Sequence, residues 1–203
     1  VLLGEALCSI ALAPLGATLA REVTGPLGLA GALEFRGSSP AWASRDVAAT
    51  EVCTWRGETV RGRVHDENCF ALGGVAGHAG IFGTASALCE VGRASLDALA
   101  GSEAWFAPEA MRAMCAPRAG GSHRLGWDGR SPGKSSAGPR SSERTFGHLG
   151  FTGTSLWCDP AREACVALLT NRVHPTRERE GIFALRVAVH DAVWEAVDEA
   201  RSG

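Results

Sequence analysis

The sequence predicts an α+β fold, equally described as an α/β fold with a mostly antiparallel sheet, in which helices flank the sheet. Three observations support this prediction. Apolar residues recur at helical spacing near the start of the chain, two apolar runs of strand length adjoin near the end, and a helical pattern follows them. The chain has 203 residues, of which 45% are hydrophobic and 21% are charged, and this suits about one globular domain.

The first part of the chain is predicted to hold helices with irregular and glycine-rich connections. Residues 1–30 have the apolar spacing of a helical hairpin, and Pro14 stands where it can open the second helix. Residues 31–63 show no sustained period and are predicted to be irregular. Residues 71–83 contain five glycines, which indicates a tightly packed backbone.

Two more helices and a long loop are predicted next. Thr84 or Ser86 can cap a helix whose apolar stripe extends to about residue 99. Pro108 opens a short helix. Residues 117–143 are rich in Pro, Gly, Ser and Arg, so we expect a surface loop there, anchored by Leu125 and Trp127.

The last sixty or so residues predict the sheet and a helix that covers it. Residues 146–158 are predicted to form one strand, an Asp159-Pro160 turn follows, and residues 164–170 form a buried second strand, which together make an antiparallel pair. The final helix is predicted to bury one apolar face, made of Ile182, Leu185, Val189, Val193 and Ala196.

Composition excludes several classes of partner. Twenty basic residues against 22 acidic ones give a net charge of −2, so no basic surface is expected to bind nucleic acid or an anionic membrane. The N-terminal apolar run is too short for a membrane span and lacks the basic lead of a signal peptide. Seven cysteines without a Cys-x-x-Cys pair favour reduced thiols and a reducing compartment.

The rare residues limit the chemistry further. The chain has no tyrosine and a single lysine, Lys134, which lies in the sequence Ser131-Pro132-Gly133-Lys134. Ser-x-x-Lys serves serine acyl-transfer enzymes because one helical turn places the amine against the hydroxyl. Proline and glycine between the two residues disfavour a helix, so we expect an exposed loop with a solvated lysine.

The segment 146–154 is a candidate substrate edge. His148 and Gly150 share one face of the predicted strand, and a glycine there leaves the backbone open to a ligand. The alternative is a histidine on a half-exposed strand whose glycines mark a bulge. The spacing alone does not separate these two interpretations.

His65, Asp66 and Glu67, with His78 eleven residues beyond Glu67, form a second candidate cluster. A zinc site is one interpretation, but a His-x-Glu deaminase also needs Pro-Cys-x-x-Cys, and neither His-x-x-x-His nor His-Glu-x-x-His occurs. A hydrogen-bonded bend that orders the glycine-rich turn is favoured. No metal or cofactor is therefore expected.

Three parts of the sequence together resemble a known superfamily. Val1-Leu2-Leu3-Gly4-Glu5, continuing to Gly25-Pro26-Leu27-Gly28, looks like the helix that follows a Tyr-x-Asn motif. Val64-His65-Asp66-Glu67 and Gly77-His78-Ala79-Gly80 look like a paired block of one subgroup. Gly147-His148-Leu149-Gly150 looks like the third catalytic motif on its strand. The chain thus resembles the serine beta-lactamase and penicillin-binding-protein-like superfamily, the class C-related esterases and peptidases in particular.

This resemblance implies a reaction and a set of site residues. A serine would be acylated by a small ester or amide substrate, and water would then release the acyl group. His148, Gly150 and Phe151 take catalytic positions, with the Phe151 N–H as oxyanion donor. The implied substrate-binding residues are Leu149, Thr152, His65, Asp66 and His78. Leu149 stands where the family usually has Thr or Ser, which disfavours recognition of a substrate carboxylate.

The resemblance also implies that residues 1–203 are the C-terminal portion of one hydrolase domain, incomplete at its N-terminus. Residues 1–143 are its mainly helical and loop region, and residues 144–203 its last strands and C-terminal helix. Ser-x-x-Lys and Tyr-x-Asn should then precede Val1, so the chain alone is expected to be inactive and to associate through exposed apolar surface. The alternatives are a non-catalytic binding protein of the same fold and a metal-dependent hydrolase. Relatives of this kind are often periplasmic, so the compartment stays open, as does the oligomeric state.

Overall fold

The computed structural model describes residues 1–35 and 47–203. The middle of the predicted irregular stretch, with Trp42, therefore lies outside the described residues. Contacts divide the chain into two units. The first unit consists of Val1–Ala87 and Asn171–Arg179, and the second of Leu88–Thr170 and Glu180–Gly203.

The first unit begins with the predicted helical hairpin. Helix α1 covers Leu2–Ala11, and Pro14 immediately precedes helix α2 at Leu15–Leu19, which continues into a π-helical turn at Ala20–Thr24. A short helix α3 follows later, at Glu67–Ala71. The prediction that Pro14 opens the second helix is confirmed.

The glycine-rich segment has a tightly packed backbone, as predicted, and the structure shows that it packs against α1. A Cβ atom on Gly4 would lie 2.9 Å from the backbone nitrogen of Gly77, and one on Gly77 would lie 3.0 Å from the nitrogen of Gly4. A Cβ atom at either position would force the facing backbone to shift, so glycine at both positions allows this close approach.

Among the described residues, the first unit also contains four short strands. The strands are β1 at Leu33–Phe35, β2 at Ala49–Cys53, β3 at Glu58–Arg61 and β4 at Ile81–Gly83. Strand β1 pairs with β4 and β2 pairs with β3, both antiparallel. The prediction that residues 31–63 are irregular is therefore wrong where the structure describes them. Strands of three to five residues are too short to show a clear period in sequence.

The second unit is built on a four-stranded antiparallel sheet in the order β5-β6-β7-β8. Its strands are β5 at Asp128–Gly129, β6 at Phe146–Leu149, β7 at Ser155–Asp159 and β8 at Ala164–Leu168. The second predicted strand is confirmed, although the sequence overestimated its burial. The prediction of one strand over residues 146–158 is wrong, because residues 150–154 turn the chain back so that Leu149 pairs with Ser155.

Helix α4 at Ala85–Ala100 and helix α5 at Pro108–Cys115 match the predicted pair. The Thr84 hydroxyl oxygen accepts the N–H of Ala87 at 3.2 Å, as a capping residue does. Within the second unit, residues of both helices pack on the sheet in one core cluster, which includes Leu96, Met111, Phe146 and Cys158. The ring of Trp127 lies edge-on to that of Phe146 with 5.1 Å between the ring centres, so Trp127 anchors the loop as predicted. The predicted anchor Leu125 is exposed instead.

Helix α6, Ile182–Ser202, buries a different face from the one predicted. Its buried residues are Arg186, His190 and Trp194, whereas Leu185 is 45% exposed and Ala196 is exposed too. The apolar-face prediction is therefore wrong, and the reason is hydrogen bonding. Each of the three buried side chains donates to backbone carbonyl groups, so its polar atoms lose little on leaving water.

The same helix explains a second correction, in the predicted surface loop. Residues 135–138 of that loop are buried. His190 Nδ1 donates to the carbonyl oxygen of Ser136 at 2.6 Å, and Trp194 Nε1 donates to that of Ala137 at 2.9 Å. Composition alone does not reveal that a helix fifty residues further along covers a polar loop.

Among the described residues, no single helix has the length and apolarity to cross a membrane, and only the bent pair Leu2–Ala11 and Leu15–Thr24 passes that test together.

Candidate functional site

Strand β6 ends at the motif that the sequence indicated, and its residues differ in exposure. Phe146 and Gly147 are buried, His148 is exposed and Leu149 is half-buried. His148 lies opposite Leu156 of β7. Nδ1 of its ring lies 2.9 Å from the carbonyl oxygen of Leu149. Because a carbonyl oxygen only accepts, Nδ1 donates, and Nε2 of the neutral ring keeps its lone pair.

A tight turn over residues 150–154 follows the strand. The Gly150 N–H donates to the carbonyl oxygen of Thr154 at 2.8 Å, and the Gly153 N–H donates to that of Gly150 at 3.1 Å. A Cβ atom on Gly150 would collide with Oγ1 of Thr154, so the turn needs a glycine there. The sequence indicated this glycine as an opening for a ligand, whereas in the structure the side chain of Thr154 occupies the space beside it and the glycine serves the turn.

The turn presents the remaining residues of the predicted motif at the end of β6. Phe151 is exposed and Thr152 is half-buried. The structure thus brings five of the predicted site residues together within one strand end and one turn: His148, Leu149, Gly150, Phe151 and Thr152.

Arg186 of helix α6 donates hydrogen bonds to this turn. Its Nη2 donates to the carbonyl oxygen of Gly150 at 2.8 Å and to that of Thr154 at 2.7 Å. The residue is only 8% exposed. Arg186 therefore links the two ends of the turn through a buried cation.

Next to it, a buried histidine and serine form a second hydrogen-bonded pair. His190 Nε2 lies 3.1 Å from Oγ of Ser155, and His190 Nδ1 donates to the carbonyl oxygen of Ser136. Nδ1 therefore holds the ring proton, and Nε2 accepts from the Ser155 hydroxyl. Burial lowers the pKa of His190, and the charge of Arg186 lowers it further. The pair has the geometry of an activated nucleophile, but His190 is 0% and Ser155 3% exposed, so it is closed to a substrate in this structure.

In the first unit, Asp66 and His78 meet. The Asp66 carboxylate accepts the backbone N–H of Cys69 at 2.7 Å, which caps helix α3, and Nε2 of His78 at 2.9 Å. Burial raises the pKa of Asp66, but these two hydrogen bonds outweigh it and the pKa is lowered overall. One carboxylate thus connects the start of α3 to the glycine-rich turn, as the sequence favoured.

His65 contacts a different carboxylate, that of Glu51. Its Nε2 lies 3.0 Å from Oε2 of Glu51 on β2, and its side chain is buried. Arg56 donates to the backbone on either side of this point, with Nη1 2.8 Å from the carbonyl oxygen of Val64 and Nη2 3.0 Å from that of His65. The structure therefore brings His78 to Asp66 but pairs His65 with Glu51.

Glu51 is the centre of a charged network that the sequence did not reveal. Arg177 donates to both Glu51 oxygens, with Nε at 2.8 and 3.0 Å, and also contacts Glu67. The hydrogen bond from Arg177 is the main reason why the pKa of Glu51 falls to about 2. One guanidinium group thus bridges two carboxylates, those of Glu51 and Glu67. Over residues 1–35 and 47–203, no group of three or more His, Cys, Asp or Glu is arranged to hold a metal ion.

The Ser-x-x-Lys sequence lies in a loop, as predicted. Lys134 is exposed and its Nζ lies 4.6 Å from the ring centre of Phe183, while the Ser131 hydroxyl hydrogen-bonds to that of Ser122 at 3.4 Å. The serine hydroxyl is directed to another serine and the amine to an aromatic ring. Nothing in this loop activates Ser131.

The family model described as beta-lactamase matches residues 1–190. An N-acetylmuramyl-L-alanine amidase of Bacillus subtilis (strain 168) is 38% identical over 127 residues, which are 59% of this chain and 28% of the relative. A putative D-alanyl-D-alanine carboxypeptidase of Escherichia coli (strain K12) is 28% identical over 190 residues, which are 86% of this chain and 44% of the relative.

A solved structure gives the same fold. The crystal structure of a beta-lactamase from Mycobacterium bovis superimposes with a TM-score of 0.63 at 20% identity and covers 96% of this chain and 61% of that chain. The chain spans less than half the length of the two curated relatives.

Proposed function

The chain belongs to the beta-lactamase family, and from this we propose that residues 1–203 are the C-terminal portion of one serine-hydrolase domain that acts on small ester or amide substrates. The single observation that carries the proposal is the strand end and turn at residues 148–152, in which an exposed histidine is followed by a hydrogen-bonded glycine turn that exposes Phe151. The family match over residues 1–190 supports it.

In the proposed reaction a serine oxygen attacks the substrate carbonyl and the alcohol or amine leaves with a proton. Water then cleaves the acyl-serine ester, which releases the acid and restores the serine. His148 steadies developing negative charge or relays a proton through Nε2, since Nδ1 is held by the Leu149 carbonyl. The N–H of Phe151 donates to the oxyanion. Leu149 and Thr152 contact the substrate.

The nucleophile is proposed to precede Val1 in the protein that contains this chain. The chain has no tyrosine, and its one lysine packs on Phe183 in a loop. Ser155 is paired with a histidine but is 3% exposed. We therefore expect this chain by itself to be inactive on esters and amides.

The cluster in the first unit has a secondary part in the proposal. His78 is about one-third exposed, with 35% of its side chain open, and is proposed to meet the substrate directly. Asp66 orients His78 through the 2.9 Å hydrogen bond. His65 is buried against Glu51, so we propose that it contributes by holding the backbone that precedes Asp66.

The proposal is tested on the longest open reading frame that contains this chain. We expect hydrolysis of p-nitrophenyl esters, labelling of one serine upstream of Val1 by a fluorophosphonate probe, and a loss of about 10²–10⁴ in kcat for His148→Ala. His123→Ala is the matched control, because His123 is an exposed histidine of the same unit outside the motif, with 84% of its side chain open. Undiminished activity in His148→Ala contradicts the role of His148. Ligand protection against unfolding without serine labelling or turnover would favour the non-catalytic binding protein instead.

A further inference from the structure

Arg186 is the buried cation that touches the turn of the proposed site. We infer that Arg186 is a positioning residue that sets the direction of the Phe151 N–H, the proposed oxyanion donor. The inference rests on the proposed function and goes beyond it, since neither the motif nor the family match assigns a role to Arg186.

The argument begins with the peptide unit that Gly150 and Phe151 share. The carbonyl oxygen of Gly150 and the N–H of Phe151 belong to one planar trans peptide, so they point in opposite directions. Any group that fixes the carbonyl also fixes the N–H. Arg186 donates to this carbonyl at 2.8 Å from a buried position.

Two further contacts make the arrangement rigid. The Gly153 N–H donates to the same carbonyl oxygen at 3.1 Å, and Arg186 also donates to the carbonyl of Thr154 at 2.7 Å. Rotation of the Gly150–Phe151 peptide would break the hydrogen bonds from Arg186 and Gly153 to its carbonyl, in a place where little water can replace them. The turn therefore holds the Phe151 N–H at a fixed angle before any substrate binds.

The charge of Arg186 acts in the same sense as its geometry. A hydrogen bond from a cation to a carbonyl oxygen polarises the peptide and makes its N–H a better donor. A guanidinium group also presents several N–H groups in a fixed plane, whereas a lysine ammonium is a point charge on a flexible stem. Arg186→Lys is thus expected to keep the charge but lose part of the alignment.

The first test observes the peptide itself in the longest protein that contains this chain. Selective ¹⁵N-phenylalanine labelling restricts the spectrum to phenylalanine amides, seven of which belong to this chain, and Phe151→Leu identifies the one of interest. We expect the Phe151 amide signal to shift in Arg186→Ala and, less, in Arg186→Lys, and to return when guanidinium ion is added to Arg186→Ala. Arg201→Ala is the matched control, because Arg201 lies on the same helix and donates to the carbonyl of Ala161 at 3.3 Å, outside this turn. An unmoved Phe151 signal in both Arg186 variants overturns the inference.

The second test is kinetic. A misaligned oxyanion donor affects the transition state more than the bound substrate, so we expect kcat to fall about 10- to 100-fold with KM within about twofold, and guanidinium to restore kcat. A general loss of structure would instead lower the melting temperature, and guanidinium would not restore the rate. A rise in KM with unchanged kcat overturns the positioning role. If the unaltered protein hydrolyses no ester, the proposed function has failed, and the amide signal still decides whether Arg186 holds this peptide.

Discussion

Replacement of His190 should remove a pH-dependent part of the stability of the second unit. His190 is 0% exposed and accepts from Ser155 while donating to Ser136. His190→Ala leaves that hydroxyl and that carbonyl without these partners and opens a cavity. At about 1–3 kcal/mol for each buried polar group left unsatisfied, and allowing for partial relaxation, we expect a loss of about 3–5 kcal/mol in the free energy of unfolding.

The sign of the pH effect follows from the direction of the pKa shift. Burial and, to a smaller extent, the charge of Arg186 lower the pKa of His190 in the folded protein, while the hydrogen bond to Ser136 and the charge of Asp191 oppose them, so the unfolded chain takes up the proton first as the pH falls. The contribution of His190 is therefore complete above the unfolded pKa of about 6.5 and is lost as the pH falls below it, by at most about 1.4 kcal/mol per pH unit.

Urea unfolding, monitored by tryptophan fluorescence at about pH 7.5, 6.0 and 5.0, measures this pH dependence of the free energy of unfolding. His190→Asn is the informative second variant, because an amide can donate to Ser136 and does not titrate. We expect the wild type to lose more stability than His190→Asn between pH 7.5 and 5.0. Equal losses in the two proteins would show that the folded structure does not depress the pKa of His190, and the reasoning would be refuted.

Three further outcomes are expected from other parts of the structure. Glu51→Gln should destabilise the protein by about 1–3 kcal/mol near pH 7 by urea unfolding, since it leaves the half-buried Arg177 without its main partner, and Glu178→Gln should change little. The difference should fade as the pH drops from about 4.5 toward 2, because the pKa of Glu51 is lowered to about 2. Gly150→Ala should lower the melting temperature, and a second substitution, Thr154→Ala, should restore part of it by removing the colliding Oγ1. If the effects of the two substitutions on stability were simply additive, the predicted collision would be contradicted. The chain alone should associate in sedimentation experiments, and charged substitutions on α1 should reduce this, because the exposed residues of α1 include four large hydrophobic ones, Leu2, Leu3, Leu7 and Ile10.

The sequence predicted those parts of the fold whose signal is local. Helices α4 and α5 have capping or opening residues, Thr84 and Pro108, beside clear apolar periods, and the structure has them where expected. The strand-end motif was also recognisable, because a histidine and a glycine two residues apart are read within one short segment.

What the sequence missed depends on contacts between distant residues. Glu51 and Arg177 are 126 residues apart, and neither belongs to a motif. The buried face of α6 was mistaken because Arg and His are ordinarily solvent-facing, and their burial is favourable here through hydrogen bonds to the carbonyls of residues 136, 150 and 154 and to the Ser155 hydroxyl. The one available signal was the spacing of Arg186, His190 and Trp194, four residues apart along one side of the helix.

Arg186, His190 and Trp194 form a row of hydrogen-bond donors along α6. This row determines where residues can be inserted into or deleted from the protein, in evolution or in engineering. Segments whose carbonyls meet that row, at residues 136–137 and 150–154, lose their hydrogen bonds if a single residue is inserted or deleted. Residues 117–121 are all exposed and have no such hydrogen bond to α6 among the described hydrogen bonds. New loops intended to alter specificity are therefore best introduced there, while the histidine strand and its turn keep their register.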